Sequence, residues 1–196
     1  MPDNTDHDLL QIAKDAALAA GEAIMRLYDV GDFESYQKAD ESPVTSADYK
    51  ANEIITDILT RMSPDIPILS EETKHASLEE RKTWQRYWLI DPIDGTQEFI
   101  ARSGDFAVNI ALIEDNKPKI GVIFWPPGQS LYYALAGHGA FKDSPEASGP
   151  ISVRKLDDPH NSVVILAISR RQPRERVISK LCAKRVYQTL PLGSCS

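Results

Sequence analysis

The sequence predicts a layered α+β sandwich: a helix pair on an antiparallel sheet, then the beginning of a second α/β sheet. Two long stretches with helical apolar spacing, three apolar runs separated by turn signals, and a late strand–helix–strand pattern carry that prediction.

The first helix is expected over residues 9–27. Leu9, Ile12, Ala13, Ala16, Ala17, Ala20, Ile24 and Leu27 recur at helical spacing on one broad face, and Gly31 is placed to end it. A second helix should start near Thr45 or Ser46, carry Ile54, Ile55, Ile58, Leu59 and Met62, and stop at Ser63-Pro64-Asp65. Ile66–Leu69 and Tyr87–Ile90 read as short buried strands that each run into acidic residues. Strand ends at the rim of a sheet are a usual place for a site.

Phe106–Ile113, Ile120–Phe124 and Leu131–Ala136 predict an antiparallel meander. Asp143–Pro150 reads as a linker or exposed loop by composition, so one unit is expected over 1–148 and a second, incomplete α/β unit over 149–196. In that second unit Val163–Ile168 and Val186–Leu190 read as strands, with a helix over 173–183 between them.

Composition narrows the function. The chain has 196 residues and a net charge of −7. Nucleic-acid binding of the sequence-independent kind needs a basic face, so it is not expected. An acidic protein that handles a phosphorylated small molecule needs cations between itself and its substrate. No apolar run reaches the length of a membrane span. The polar start of the chain does not read as a signal peptide, and two cysteines, Cys182 and Cys195, show no CxxC or Cys/His clustering. The reading is a cytoplasmic protein with reduced thiols, with peripheral membrane association left open. His7, His75, His138 and His160 lack ligand spacing, and no Gly-x-Ser-x-Gly elbow is present. Arg170, Arg171, Arg174 and Arg176, at a predicted helix start, read as a solvated face or as a contact for an anion.

Chemistry concentrates in Asp91-Pro92-Ile93-Asp94-Gly95-Thr96. Pro92 fixes a backbone angle just after a strand, so a turn is expected that points Asp91 and Asp94 to one side and frees the Ile93 carbonyl. Gly95 and Thr96 should open a helical turn whose N–H groups attract an oxyanion. Two carboxylates beside such a place call for a hard cation, because like charges at ~4 Å repel by about 4 kcal/mol at an effective dielectric of 20. Oxygen donors without His or Cys favour Mg²⁺ over Zn²⁺. Glu71 and Glu72 read either as an acidic helix start or as the source of one further carboxylate. Thr45-Ser46-Ala47-Asp48 has the form of a capping box, and Asp48 is also placed to accept from the Thr96 hydroxyl.

Val44-Thr45-Ser46-Ala47-Asp48, Leu69-Ser70-Glu71-Glu72 and Trp88-Leu89-Ile90-Asp91-Pro92-Ile93-Asp94-Gly95-Thr96 together resemble the inositol monophosphatase superfamily. Glu98-Phe99, Phe106–Leu112, Gly137–Phe141 and Leu192-Gly193-Ser194 are similar to its CysQ-type branch, the 3′(2′),5′-bisphosphate nucleotidases. The resemblance implies a lithium-sensitive Mg²⁺-dependent phosphatase acting on adenosine 3′,5′-bisphosphate. It assigns Glu71, Asp91 and the Ile93 carbonyl to a first Mg²⁺ and Asp91 with Asp94 to a second. It assigns Glu71, Ile93, Asp94, Gly95 and Thr96 to the substrate phosphate, and Asp48 with Thr96 to catalysis. Two alternatives stay open: an inositol- or fructose-phosphate phosphatase with the same metal site, and a non-catalytic remnant. The family's later Trp-Asp motif has no counterpart here, since Trp84, Trp88 and Trp125 precede Gln85, Leu89 and Pro126. The resemblance therefore implies a C-terminally truncated chain. It leaves monomer and homodimer both open.

Overall fold

The computed structural model describes residues 5–38, 41–73, 76–153, 155, 163–169, 175, 177, 179 and 187–192. Helix α1 spans Asp6–Val30. Thr5 and Asp8 form a reciprocal capping box at its start, and Gly31, left-handed at φ 76°, closes it with an N–H donated to the Leu27 carbonyl. Helix α2 spans Ser46–Met62 behind a second capping box, formed by Thr45 and Asp48. The two helices face each other along stripes of small residues: Ala13, Ala16, Ala17 and Ala20 are fully buried on α1, as are Ala47 and Ala51 on α2. Small side chains let both backbones come close to the sheet beneath. A Cβ at Gly21 would lie 2.2 Å from the Phe124 ring.

Seven strands form that sheet, in the order β3-β4-β5-β6-β7-β8-β9. They are β3 Ile68–Ser70, β4 Arg86–Asp94, β5 Ala107–Glu114, β6 Lys117–Trp125, β7 Ser130–Leu135, β8 Gly139–Asp143 and β9 Ser148–Ile151. Alternation decides which face the helices cover. Trp88, Ile90, Val108, Ile110, Leu112, Ile120 and Val122 are buried in the core with α1 and α2. Leu89 and Ile123, pointing the other way, are exposed. Trp88 satisfies its indole N–H on the Ser63 hydroxyl at 3.0 Å, which ties β4 to the end of α2.

The structure departs from the sequence reading in four places. The sheet is mixed, because β3 pairs parallel with β4 while every later neighbour is antiparallel. A parallel pair needs a crossover, and the segment after β3, including the short helix α3 Leu78–Arg81, supplies it. Second, the expected loop over Asp143–Pro150 is a hairpin whose return strand is β9, so the expected division after residue 148 falls inside a strand. Its polar, proline-containing composition suits an edge strand, where a missing N–H is harmless. Third, a small hairpin, β1 Ser35–Gln37 with β2 Pro43–Thr45, precedes α2. Its strands of three residues are too short for a period to register. Fourth, β4 continues through Pro92 to Asp94, with a bulge, where a turn was expected.

Strands β10 Val164–Ser169 and β11 Tyr187–Leu192 pair in parallel over six residues, as a strand–helix–strand unit requires. The helix expected between them, the Arg170, Arg171, Arg174 and Arg176 run, Cys182, Cys195 and the Gly193-Ser194 match lie outside the described residues, apart from isolated positions within that helix.

Candidate active site

The end of β4 is shaped by a β-bulge. Asp91 stands opposite Asn109 and Asp94 opposite Ala107, so Pro92 and Ile93 face Val108 alone. In a regular strand residues three apart point to opposite faces. The extra residue reverses that parity, and Asp91 and Asp94 end on the same side. Gly95 then turns the chain at φ 96°, and helix α4, Thr96–Ile100, begins. A Cβ at Gly95 would lie 2.8 Å from the Asp105 carbonyl oxygen and 3.3 Å from the Phe106 Cα. Gly95→Ala should therefore cost about 2–3 kcal/mol, read as a lowered urea midpoint, from backbone strain and that contact together. A midpoint equal to the parent's would show that the bend tolerates a side chain.

Glu71, Asp91, Ile93, Asp94, Gly95 and Thr96 line one cavity of about 310 Å³. Asp48 stands behind it. Its carboxylate Oδ2 accepts the Thr45 N–H at 2.8 Å and the Thr45 hydroxyl at 2.5 Å, while Oδ1 accepts from the Thr96 hydroxyl at 3.1 Å. The Ile93 carbonyl is a second acceptor for Thr96, at 3.2 Å. Asp48 thus holds the helix cap and the site threonine at once. Burial pushes its carboxyl above the ordinary range, against the hydrogen bonds from Thr45 and Thr96.

Acid groups dominate the electrostatics. Asp91 is pushed up to about 7, first by burial and then by Glu71, Asp94, Asp48 and Glu72. Burial also raises Glu72, opposed by its bond to Lys38. Two polar partners here were not picked out as site residues from the sequence. Asn109 donates its side-chain amide to Asp94 Oδ2 at 3.3 Å. Lys38, beside the β1–β2 hairpin, donates to Glu71 at 2.7 Å and to Glu72 at 2.6 Å. Burial would lower the Lys38 ammonium, but its two carboxylate partners outweigh burial and raise it. Asn109 carried a signal, a polar residue inside the Val108–Leu112 apolar run. Lys38 carried none, because an isolated lysine in a polar stretch is indistinguishable from a surface residue.

Among the described residues no three acidic, histidine or cysteine side chains converge tightly enough to enclose a cation as they stand. Glu71 is tied to Lys38 instead.

Residues 5–195 match the model of the inositol monophosphatase family. The chain belongs to the inositol monophosphatase family. Among curated relatives, it is 44% identical over 176 residues to the 3′(2′),5′-bisphosphate nucleotidase CysQ of Salmonella typhimurium, covering 89% of this chain and 69% of that one. The Escherichia coli K12 protein of the same name is 42% identical over the same span. Among solved structures, CysQ from Bacteroides thetaiotaomicron superposes with a TM-score of 0.76 at 36% identity, covering 94% of this chain and 72% of that one. The inositol monophosphatase of Thermotoga maritima, at 24% identity and TM-score 0.73, shares the fold, with 94% of this chain and 69% of that one covered. The mixed sheet under two helices is thus the family's fold.

Proposed function

We propose that this chain is a Mg²⁺-dependent phosphomonoesterase that removes the 3′-phosphate of adenosine 3′,5′-bisphosphate, giving AMP and inorganic phosphate. The observation that carries the reading is the bulged Asp91–Asp94 pair beside the Thr96–Asp48 hydrogen bond. The choice of a nucleotide over a sugar phosphate rests on identity to the CysQ nucleotidases.

The donor set suits a hard divalent cation. It is all oxygen, and burial together with four neighbouring carboxylates pushes Asp91 up to about 7. Glu71, Asp91 and the Ile93 carbonyl would hold a first Mg²⁺, and Asp91 with Asp94 a second. When bound, the cation supplies positive charge against the phosphoryl oxygens and acidifies water.

The remaining work belongs to the protein. The Thr96 hydroxyl has one proton and directs it at Asp48 or the Ile93 carbonyl. Its lone pairs are then open to accept from a water in the cavity. A proton leaving that water passes to Thr96 as the Thr96 proton passes to Asp48, whose raised pKa suits a base. The water oxygen bonds to phosphorus as the bond from phosphorus to the 3′ oxygen breaks; the 3′ oxygen takes a proton from solvent, and Asp48 returns its own to solvent. Backbone N–H groups in the first turn of α4 lack intrahelical acceptors and, with Gly95, would receive the phosphate oxygens.

No helix among the described residues is long and apolar enough to cross a membrane. We infer a cytoplasmic enzyme with a phosphorylated small molecule as its partner, and a first structural unit that ends after β9 rather than at residue 148.

Phosphate release with Mg²⁺ should be faster from adenosine 3′,5′-bisphosphate than from inositol 1-phosphate or fructose 1,6-bisphosphate, and millimolar Li⁺ should depress it. Preference for the inositol ester would overturn the nucleotide reading while leaving the phosphatase intact. No release from any of the three would favour a non-catalytic remnant.

A further inference from the structure

Lys38 is bonded to two adjacent glutamates that differ sharply in exposure. The Glu72 side chain is 4% exposed and that of Glu71 52%, with Lys38 itself at 21%. A carboxylate as buried as Glu72 needs a permanent positive partner, and Lys38 is the one the structure gives it. Glu71 does not need one, because water reaches it. Yet the same ammonium reaches across to Glu71, the glutamate that lines the acidic cavity with Asp91 and Asp94. One lysine therefore holds a fixed contact and an optional one.

We propose that Lys38 is a built-in counter-cation for the acidic site: anchored on Glu72, its ammonium competes with a divalent cation for Glu71. This rests on the divalent-cation reading of the acidic cluster. Without a cation, the lysine offsets the repulsion Glu71 feels from Asp91 and Asp94, and it ties up one candidate ligand. A divalent ion beside Asp91 takes Glu71 over, and Lys38 keeps Glu72. The device limits how tightly the site binds metal and spares the empty site part of its charge repulsion.

Calorimetric titration with Mg²⁺ alone tests this on the whole chain. Lys38→Gln removes the competitor and its charge, so Mg²⁺ should bind roughly tenfold more tightly, the scale of one charge-assisted hydrogen bond. Lys38→Arg keeps the charge and should bind no more tightly than the parent. In the parent, amine labelling at Lys38 followed by mass spectrometry should speed up about threefold when Mg²⁺ is added, because an amine held by one carboxylate instead of two is more open to the reagent. The labelling needs no variant, so it holds even where Lys38→Gln does not fold. Unchanged or weaker Mg²⁺ binding in folded Lys38→Gln, or unchanged labelling, overturns the competition. Asp91→Asn separates the two ideas. If it abolishes Mg²⁺ binding while Lys38→Gln fails to tighten it, the metal site stands and the counter-cation falls. If the parent binds no Mg²⁺ at all, the metal reading falls with it.

Discussion

Asp91→Asn should abolish phosphatase activity and at the same time stabilise the metal-free protein. The carboxylate is the one group assigned to both cations, so its loss should lower kcat by at least about 10³-fold, or about 4 kcal/mol of barrier. The stability effect has the opposite sign. Burial and four neighbouring carboxylates hold Asp91 up at about 7, against an ordinary value of 3.8. A carboxyl raised in this way binds its proton more tightly folded than unfolded, so lowering the pH favours folding. The penalty for carrying Asp91 is nil below about pH 4, grows as pH climbs to 7, and is complete above that. The full shift corresponds to about 4 kcal/mol, and partial exposure and local relaxation should leave about 2 kcal/mol. Urea melts without metal should show Asp91→Asn more stable than the parent at pH 8, with the gap closing by pH 4. A gap that is constant with pH would mean that Asp91 is not strained by its neighbours.

Asp48→Ala should damage stability and catalysis together, and Asp48→Asn should separate them. Asp48 is 1% exposed and is the N3 half of the α2 capping box. Alanine removes the cap, worth about 1 kcal/mol, and leaves the buried Thr45 N–H unpaired at a cost of about 1–3 kcal/mol. Relief of repulsion with Asp91 offsets part of that, so a net loss of about 2 kcal/mol is expected by chemical denaturation. Asparagine keeps a carbonyl oxygen for the Thr45 N–H and should cost less. It cannot take the Thr96 proton, so both variants should lose roughly 10²–10³-fold in kcat, the range of one general base. A fully active Asp48→Asn protein would sink the Thr96–Asp48 relay and leave Asp48 a cap alone.

Much of the scaffold was legible before any coordinates. The apolar period of α1 and α2, the Thr45 cap and the three-strand meander are local properties, in which each residue's role depends on neighbours a few positions away. Short edge elements were not. The β1–β2 hairpin and β9 hold three and four residues, too few to repeat a pattern, and their strand character comes from the partner they pair with. The parallel β3–β4 pair also escaped, since strand direction is fixed by the crossover between strands.

By itself the sequence marked the residues proposed to hold the chemistry: Asp91, Asp94, Glu71, Asp48 and Thr96, each singled out by its place after an apolar strand or at a helix start. How they meet was a tertiary decision. Asp91 and Asp94 lie three apart on a strand and would diverge, and only the bulge against Val108 brings them to one face. Pro92 reads as a turn in isolation because its φ is fixed, but the hydrogen-bonded neighbour β5 keeps the chain extended through it. Lys38 became part of the site only because a hairpin places it beside two glutamates more than thirty residues away. Charge is attracted through space, so a residue's electrostatic partners cannot be read along the chain.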